Sequence, residues 1–260
     1  MGAIDTVAGR IVFIDNGTDA GEPILFLHGV GSDKSVWRPQ LDHYRGLRTA
    51  IAMDYPGYGE SALQPDATRD DFASAAFALL DRLGHDRAHI CGLSLGGIVA
   101  IAMHALAADR CRSLVLADTF AVHHDGQGIY DRSMAASTNL RALAEGRVDV
   151  LLAQPADPAL RSEVVETMSA IDSNAYRLGA EAVWLADQRD RVAAIDVPTL
   201  VLCGALDVVT PPTLSRDLAA AIPGAELVLI DGAGHLANIE KPSEFNAALD
   251  RFLSEVEQKN

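Results

Sequence analysis

Apolar residues recur along the chain in short, nearly continuous runs, and turn-forming residues separate these runs. Strands that are covered on both faces of a parallel sheet are apolar at almost every position. The runs therefore predict buried strands of a mainly parallel sheet. Seven strands are predicted: Arg10–Asp15, Ile24–Gly29, Arg48–Tyr55, Arg87–Leu93, Arg112–Asp118, Pro198–Gly204 and Ala225–Asp231.

Helical spacing of apolar residues fills the stretches between several of these strands. After Thr68, which is suited to cap a helix start, one face carries Phe72, Ala76, Leu79, Leu80 and Leu83 before Gly84 can end the helix. A second such face near the carboxyl terminus carries Phe245, Leu249, Phe252 and Val256. Strands that alternate with helices predict βαβ units, with helices on both faces of the sheet.

The alternation stops between residues 119 and 196, where the patterns indicate helices only. The stretches read as helical are SMAASTNLRALAEG, PALRSEVVETMSAI and AYRLGAEAVWLADQRDRVAAI. This segment is too long for a plain loop. We therefore expect an α/β core formed by residues 1–118 and 197–260, with residues 119–196 inserted as a helical cap.

The amino-acid composition limits the classes of molecule that this protein is expected to bind. Hydrophobic residues make up 49% of the 260 residues, enough for a sizeable core, and 36 acidic against 21 basic side chains give a net charge of −15. Such a charge repels nucleic acids and anionic membranes, so neither is expected as a partner. No apolar run is long enough to span a membrane.

The three cysteines are Cys91, Cys111 and Cys203, which are widely spaced and form no metal-binding motif. They favour a reducing cytoplasm. We expect no metal, and a homo-oligomer is compatible with the sequence.

The stretch HICGLSLGGIVA, from His89 to Ala100, carries the strongest chemical signal. Ser94 stands between Gly92 and Gly96, after a predicted buried strand and before a predicted helix. A sharp strand-to-helix turn of this kind presents a serine nucleophile, and glycines two positions away avoid collisions with the turn. A plain structural turn is the alternative, and the flanking strand and helix favour the nucleophile.

A serine hydroxyl needs a base, and the base needs an acid to orient it. Among eight histidines, His235 is the one that follows a late strand in a glycine-rich loop, DGAGHLANIEKP. Asp207 follows a buried strand in LVLCGALDVVTPP, at the sheet edge where ligands bind in open α/β folds. Asp118, at the end of LVLAD, is the rival for the acid.

The oxyanion of an acyl-transfer reaction also needs donors. The N–H of Leu95, the residue after the nucleophile, should be one, and the N–H of Val30 in the loop HGVGSDKSVW should be the other. GYGESA, residues 57–62, matches a dinucleotide-binding pattern, but loop-forming residues follow it, so we expect no dinucleotide and no other cofactor.

These stretches together resemble the α/β-hydrolase family over nearly the whole chain. The matching pieces are LHGVGSDKSVW, MDYPGYGES, CGLSLGG, LVLCGALDVVTPP and GAGHLANIEKPSEF. The resemblance implies a triad of Ser94, Asp207 and His235 beneath a helical cap. A serine nucleophile disfavours haloalkane dehalogenases and epoxide hydrolases, which use aspartate.

Within the family, the chain looks similar to 3-oxoadipate enol-lactonases and carboxylesterases. Those lactonases tend to carry a tryptophan and a nearby arginine early in the cap, where this chain has Tyr130 and Arg132, and their early loop often lacks the His28-Gly29 pair. The expected substrate is a small-molecule ester or lactone. A general carboxylesterase, a hydrolase of C–C bonds in β-diketones or ring-fission products, and a ligand sensor remain alternatives.

The cap should set specificity. Arg132 is our candidate to bind a substrate carboxylate, because a guanidinium binds carboxylates in a bidentate fork. The other candidates to contact substrate are His28, Phe120, Tyr130, Met134, Met168 and Trp184, although Met168 and Trp184 could equally pack the cap onto the sheet.

Overall fold

The computed structural model describes residues 1–258 and contains one eight-stranded sheet with the order β1-β2-β4-β3-β5-β6-β7-β8. The pairs β1–β2 and β2–β4 are antiparallel, and all other neighbours are parallel. The strands are β1 Gly2–Thr6, β2 Gly9–Asp15, β3 Ile24–Leu27, β4 Ala50–Met53, β5 Ala88–Leu93, β6 Cys111–Ala117, β7 Thr199–Gly204 and β8 Glu226–Ile230.

Helices follow most of the strands, and five of them lie between β6 and β7. Outside that insertion the helices are α1 Arg38–His43, α2 Arg69–Leu83, α3 Leu95–Leu106, α9 Pro212–Ala221, α10 Ala237–Glu240 and α11 Pro242–Gln258. The inserted helices are α4 Gly126–Ala136, α5 Leu140–Leu151, α6 Pro158–Ser169, α7 Ser173–Trp184 and α8 Arg189–Ala193. Within residues 1–258, none of the helices has the length and apolar character needed to cross a bilayer.

Each face of the sheet packs against its own hydrophobic core. Along β3, Leu25 and Leu27 belong to the core beneath α2 and α3, whereas Ile24 and Phe26 belong to the core beneath α1 and α11. Alternate side chains of a strand point to opposite faces, so a strand between two helical layers must be apolar throughout. The predicted fold class, a mostly parallel sheet with helices on both faces, is confirmed.

The seven predicted strands are all present, and β1 was missed. In β1 the side chains alternate between exposed and half-buried, and the strand pairs with β2 alone at the edge of the sheet. A five-residue edge strand lacks the continuous apolar run by which the central strands were recognised.

Helix α2 begins and ends where its sequence predicts. Thr68 accepts a hydrogen bond from the Asp71 N–H, Asp71 accepts one in return from the Thr68 N–H, and Gly84 ends the helix with φ of 80°. Two of the three predicted cap helices are each two separate helices in the structure. Ser137 to Asn139 separates α4 from α5, and residues 185–188 separate α7 from α8.

A buried ion pair anchors the loop that follows β3. Lys34 Nζ lies 2.6 Å from Asp54 Oδ2, and the Lys34 N–H donates to Asp54 Oδ1 at 2.8 Å. Asp54 is fully buried and follows β4, the neighbour of β3 in the sheet. Removing one partner of such a pair leaves the other charge buried without compensation.

The Asp54→Asn variant should lose about 3–5 kcal/mol of unfolding free energy, because the buried Lys34 ammonium then has no compensating negative charge. Urea denaturation followed by circular dichroism measures the change. Asp42→Asn is the control, since Asp42 forms an exposed pair with Arg45 and should alter stability little. Equal effects of the two substitutions would contradict the role assigned to the buried pair.

Candidate active site

Ser94 occupies a strained turn between β5 and α3. Its φ of 54° and ψ of −112° lie outside the ordinary regions for a residue with a side chain. The flanking glycines permit this turn: a Cβ on Gly92 would lie 2.1 Å from the Gly96 oxygen, and a Cβ on Gly96 would lie 2.0 Å from the Leu27 oxygen. Strain of this kind costs about 1–3 kcal/mol and is typical of functional sites.

His235 and Asp207 meet above the carboxyl ends of the strands. Asp207 lies in the loop after β7, His235 lies in the loop after β8, and His235 Nδ1 is 2.8 Å from Asp207 Oδ2. Both side chains are almost fully buried. With Nδ1–H donated to the carboxylate, Nε2 of the ring is left as the free basic nitrogen.

The Asp207 carboxylate receives three further hydrogen bonds from its own loop. Asp207 Oδ1 accepts from the Val209 N–H at 2.7 Å and from the Thr210 N–H at 3.0 Å, and Asp207 Oδ2 accepts from the Thr210 hydroxyl at 2.7 Å. Burial acts to raise the pKa of Asp207. The charge of His235 and the hydrogen bonds of His235 and Thr210 outweigh burial and hold the pKa below its ordinary value.

Asp118, the rival acid, lies beside Asp207 but in a different state. Its Oδ1 accepts from the Gly204 N–H at 2.8 Å, whereas its buried Oδ2 has no hydrogen-bond partner among residues 1–258. Burial and then the negative charge of Asp207 raise the pKa of Asp118 well above its ordinary value. No hydrogen bond joins Asp118 to His235 within the described chain, and the structure therefore pairs the histidine with Asp207.

Asp118, Cys203 and Asp207 bring potential metal-ligand atoms within 4.8 Å of one another, although the sequence predicted no such cluster. The Asp207 oxygens already accept hydrogen bonds from backbone and side-chain donors, and burial raises the pKa of the Cys203 thiol. Because a thiol binds metals as the thiolate, this donor set suits a hydrogen-bonded acid better than an ion.

Ser94 and His235 line one enclosed pocket together with Val30. The N–H groups of Val30 and Leu95 form no hydrogen bond among the loop and side-chain contacts of residues 1–258. The Tyr58 hydroxyl donates to the Val30 oxygen at 3.2 Å and so fixes the peptide that follows Val30. Val30 thus lines the same pocket as Ser94, and its role as an oxyanion donor stays a prediction.

Glu240, which sequence reasoning missed, ties down the loop that carries His235. Its Oε1 accepts from the N–H groups of Gly234 and Leu236, and its Oε2 accepts from the Ala153 N–H at 2.7 Å. The His235 N–H donates to the Leu151 oxygen at 2.9 Å. The only sequence signal was an acidic residue five positions after His235.

Two of the seven specificity candidates line the pocket. Trp184 and Met168 do so, and Phe120 stacks on Trp184 from behind with ring centroids 6.0 Å apart. Tyr130 and Met134 are partly buried against the core and do not line this pocket.

The structure places His28 and Arg132 outside the lining of the pocket that holds Ser94. His28 is fully buried beneath the loop, packed against Tyr55 and Tyr58, and burial lowers its pKa. Arg132 does not line the pocket, because its side chain is two-thirds exposed and pairs with Asp125 at 2.7 Å.

Tyr176 and Arg147 line the pocket and were not foreseen. Both belong to inserted helices, Tyr176 to α7 and Arg147 to α5. The hydroxyl of Tyr176 and the indole N–H of Trp184 are buried without a hydrogen-bond partner among the described residues. Helical periodicity shows which residues share a face, but not which cavity that face meets.

The sheet, the serine turn and the Asp207–His235 pair define a hydrolase of the α/β class. A family model described as "Alpha/beta hydrolase family" matches residues 24–248, and the chain belongs to this family. It is 26% identical over 246 residues to 3-oxoadipate enol-lactonase 1 of Acinetobacter baylyi, covering 93% of this chain and 92% of that protein.

Two solved structures are similar to this chain over nearly its whole length. The enol-lactonase from Burkholderia xenovorans LB400 superposes with a TM-score of 0.91 at 26% identity, covering 97% of this chain and 100% of the other. A thermophilic esterase from Thermogutta terrifontis superposes with a TM-score of 0.89 at 28% identity, covering 98% of both chains.

Removing the Thr210 hydroxyl should raise the pKa of Asp207, because one donor to its ionised form is lost. A lowered pKa stabilises the fold above the unfolded value of 3.8, and this stability disappears as pH falls through the folded value. In Thr210→Val the loss should still begin near the unfolded value but be complete at a higher pH, with about 1.5–3 kcal/mol less stability near neutrality.

Urea titrations between about pH 3 and 7 measure this shift in stability. Thr199→Val is the matched control, since the Thr199 hydroxyl donates to the neutral Val197 carbonyl. Parallel stability curves for wild type and Thr210→Val would show that the threonine does not tune Asp207.

Proposed function

We propose that this protein hydrolyses a carboxylic ester or lactone through an acyl-enzyme on Ser94. The observation that carries the proposal is the 2.8 Å contact of His235 Nδ1 with Asp207, in a histidine that shares a pocket with Ser94 on its strained turn. A nucleophile, a base and an orienting acid in this arrangement are the requirements of acyl transfer.

In the proposed mechanism each group has one step. His235 Nε2 takes the Ser94 proton as Oγ attacks the carbonyl carbon, and Asp207 stabilises the imidazolium through Nδ1. The N–H groups of Val30 and Leu95 receive the oxyanion. The protonated His235 then gives its proton to the leaving oxygen. Water activated by the same histidine releases the acid, and no cofactor takes part.

The enol-lactonase and esterase relatives support esters and lactones as the bonds cleaved. The proposed substrate is a small molecule similar to 3-oxoadipate enol-lactone. The inserted helices supply much of the pocket wall and form the proposed cap, so they would set specificity. Three unpaired, buried cysteines suit a reducing compartment, and we place the enzyme in the cytoplasm.

Ser94→Ala should lower turnover by about 10⁴–10⁶-fold, since members of a triad act as a unit. The rates to compare are those for 3-oxoadipate enol-lactone and 4-nitrophenyl acetate. Ser74→Ala, an exposed serine of α2, is the control and should keep wild-type activity. A Ser94→Ala enzyme with a tenth of the wild-type rate would overturn the proposed mechanism.

Two substitutions show which of the neighbouring residues Asp207 and Asp118 is the acid of the triad. Asp207→Asn should lower kcat by about 10⁴-fold because the amide no longer holds the productive histidine tautomer. Asp118→Asn should change kcat less than about tenfold, because the described residues show no hydrogen bond from Asp118 to His235 and asparagine tolerates the φ of 47° found there. The reverse ranking, measured as kcat on the same esters, would assign the acid to Asp118.

A further inference from the structure

The inner pocket that holds Ser94 opens toward a second, larger cleft. The inner cavity has a volume of about 50 Å³, whereas the cleft between the inserted helices and the loop after Asp207 measures about 900 Å³. Arg147 and Trp184 line both spaces. A single water needs roughly 10–15 Å³ on this scale, so the inner cavity is small beside the cleft. A substrate that reaches from Ser94 into the cleft would pass Arg147 and Trp184, which lie at the boundary between the two spaces.

The cleft has no carboxylate in its lining, although the protein is strongly acidic. Among the described residues no aspartate or glutamate lines it, whereas Arg132 and Arg147 do. Arg132 is already paired with a carboxylate outside the cleft, and burial lowers the pKa of His123, so Arg147 is the cation of the cleft that no described carboxylate balances. Apolar side chains complete the lining, with Val150 and Val208 exposed at its rim. Apolar walls with one unbalanced cation suit an amphipathic anion.

Arg147 differs from every other arginine of the inserted helices. Six arginines in α4–α8 form salt bridges with carboxylates: Arg132, Arg141, Arg161, Arg177, Arg189 and Arg191. Arg147, within residues 1–258, has no carboxylate within 4.0 Å. Its guanidinium lies 3.4 Å from the Ser133 hydroxyl and 6.0 Å from the Trp184 ring centre.

The position of Arg147 suits a carboxylate partner. The side chain is half-buried, and the Trp184 ring restricts its orientation. A guanidinium binds a carboxylate through two parallel hydrogen bonds, which are stronger in a partly desolvated site. The unpartnered Tyr176 hydroxyl and Trp184 indole N–H are two further buried donors in the lining of the inner pocket. Glu163 also lines that pocket but is exposed, so solvent screens its charge.

We propose that Arg147 binds a carboxylate on the substrate, so that the scissile ester or lactone lies at Ser94 and the anionic end lies at the boundary with the outer cleft. The substrate class is thereby an ester or lactone of a dicarboxylic acid. This inference rests on the proposed function of Ser94 for the position of the ester, whereas anion binding at Arg147 is independent of turnover.

Two esters of equal chain length test the proposal. The mono-4-nitrophenyl ester of glutaric acid and 4-nitrophenyl pentanoate differ only in a terminal carboxylate against a methyl group. In Arg147→Gln, kcat/KM for the glutarate ester should fall about 10–100-fold, mainly through KM, while the pentanoate ester changes less than about threefold. Arg147→Lys should recover part of the preference, because lysine keeps the charge without the planar fork.

Arg141→Gln is the matched control. Arg141 belongs to the same helix as Arg147, lines neither the inner pocket nor the outer cleft and is already paired with Glu166, so its loss should leave the ratio of the two kcat/KM values unchanged. An unchanged ratio in Arg147→Gln, or an equal fall in Arg141→Gln, would overturn the assignment to Arg147.

A binding measurement separates this inference from the proposed function. Calorimetric titration with glutarate, and with pentanoate for comparison, needs no turnover and can be performed on wild type, Ser94→Ala and Arg147→Gln. Glutarate should bind wild type and Ser94→Ala alike and bind Arg147→Gln at least tenfold more weakly. If neither ester is cleaved but glutarate binding depends on Arg147, the proposed hydrolysis fails and the anion site stands. Glutarate binding that is indifferent to Arg147 overturns the anion site.

Discussion

The whole site depends on close contact of backbone with backbone at the carboxyl edge of the sheet. Gly96 approaches the Leu27 carbonyl so closely that a Cβ would lie 2.0 Å from its oxygen, and a Cβ on Gly204 would lie 1.9 Å from the Gly234 oxygen. The first contact joins the nucleophile turn to the end of β3, where the loop with Val30 begins. The second joins the end of β7 to the loop that carries His235. Larger side chains at these points would push apart the groups that must cooperate.

Once the strand ends are this close, the surroundings shift the pKa values of two neighbouring carboxyls in opposite directions. Asp207 has hydrogen-bond donors for both oxygens, His235 among them, and its pKa is lowered. Asp118 accepts one hydrogen bond, while burial and the nearby Asp207 raise its pKa. The histidine is therefore hydrogen-bonded to the carboxyl whose pKa is lowered, as an orienting acid requires.

The sequence predicts the central sheet well and points to Ser94, Asp207 and His235, because each signal is local. Buried strands are recognisable from continuous apolar runs, and Ser94, Asp207 and His235 each follow such a run. Edge strand β1 has no comparable signal. The lining of the pocket depends on how α4–α8 pack together. That packing places Arg147 in the pocket lining and leaves Arg132 outside it. Glu240 escaped notice because its role is to accept backbone hydrogen bonds from another loop.

Glu240 also connects the inserted helices to the loop that carries His235. Its carboxylate joins the backbone on both sides of His235 to Ala153, just after α5, and the His235 N–H donates to Leu151 at the end of that helix. Arg147 lies one turn earlier on the same helix. The residue proposed to bind the substrate anion and the histidine are therefore both held by α5 and its carboxyl end. A displacement of α5 would shift both, which links the proposed anion site to the position of the proposed base.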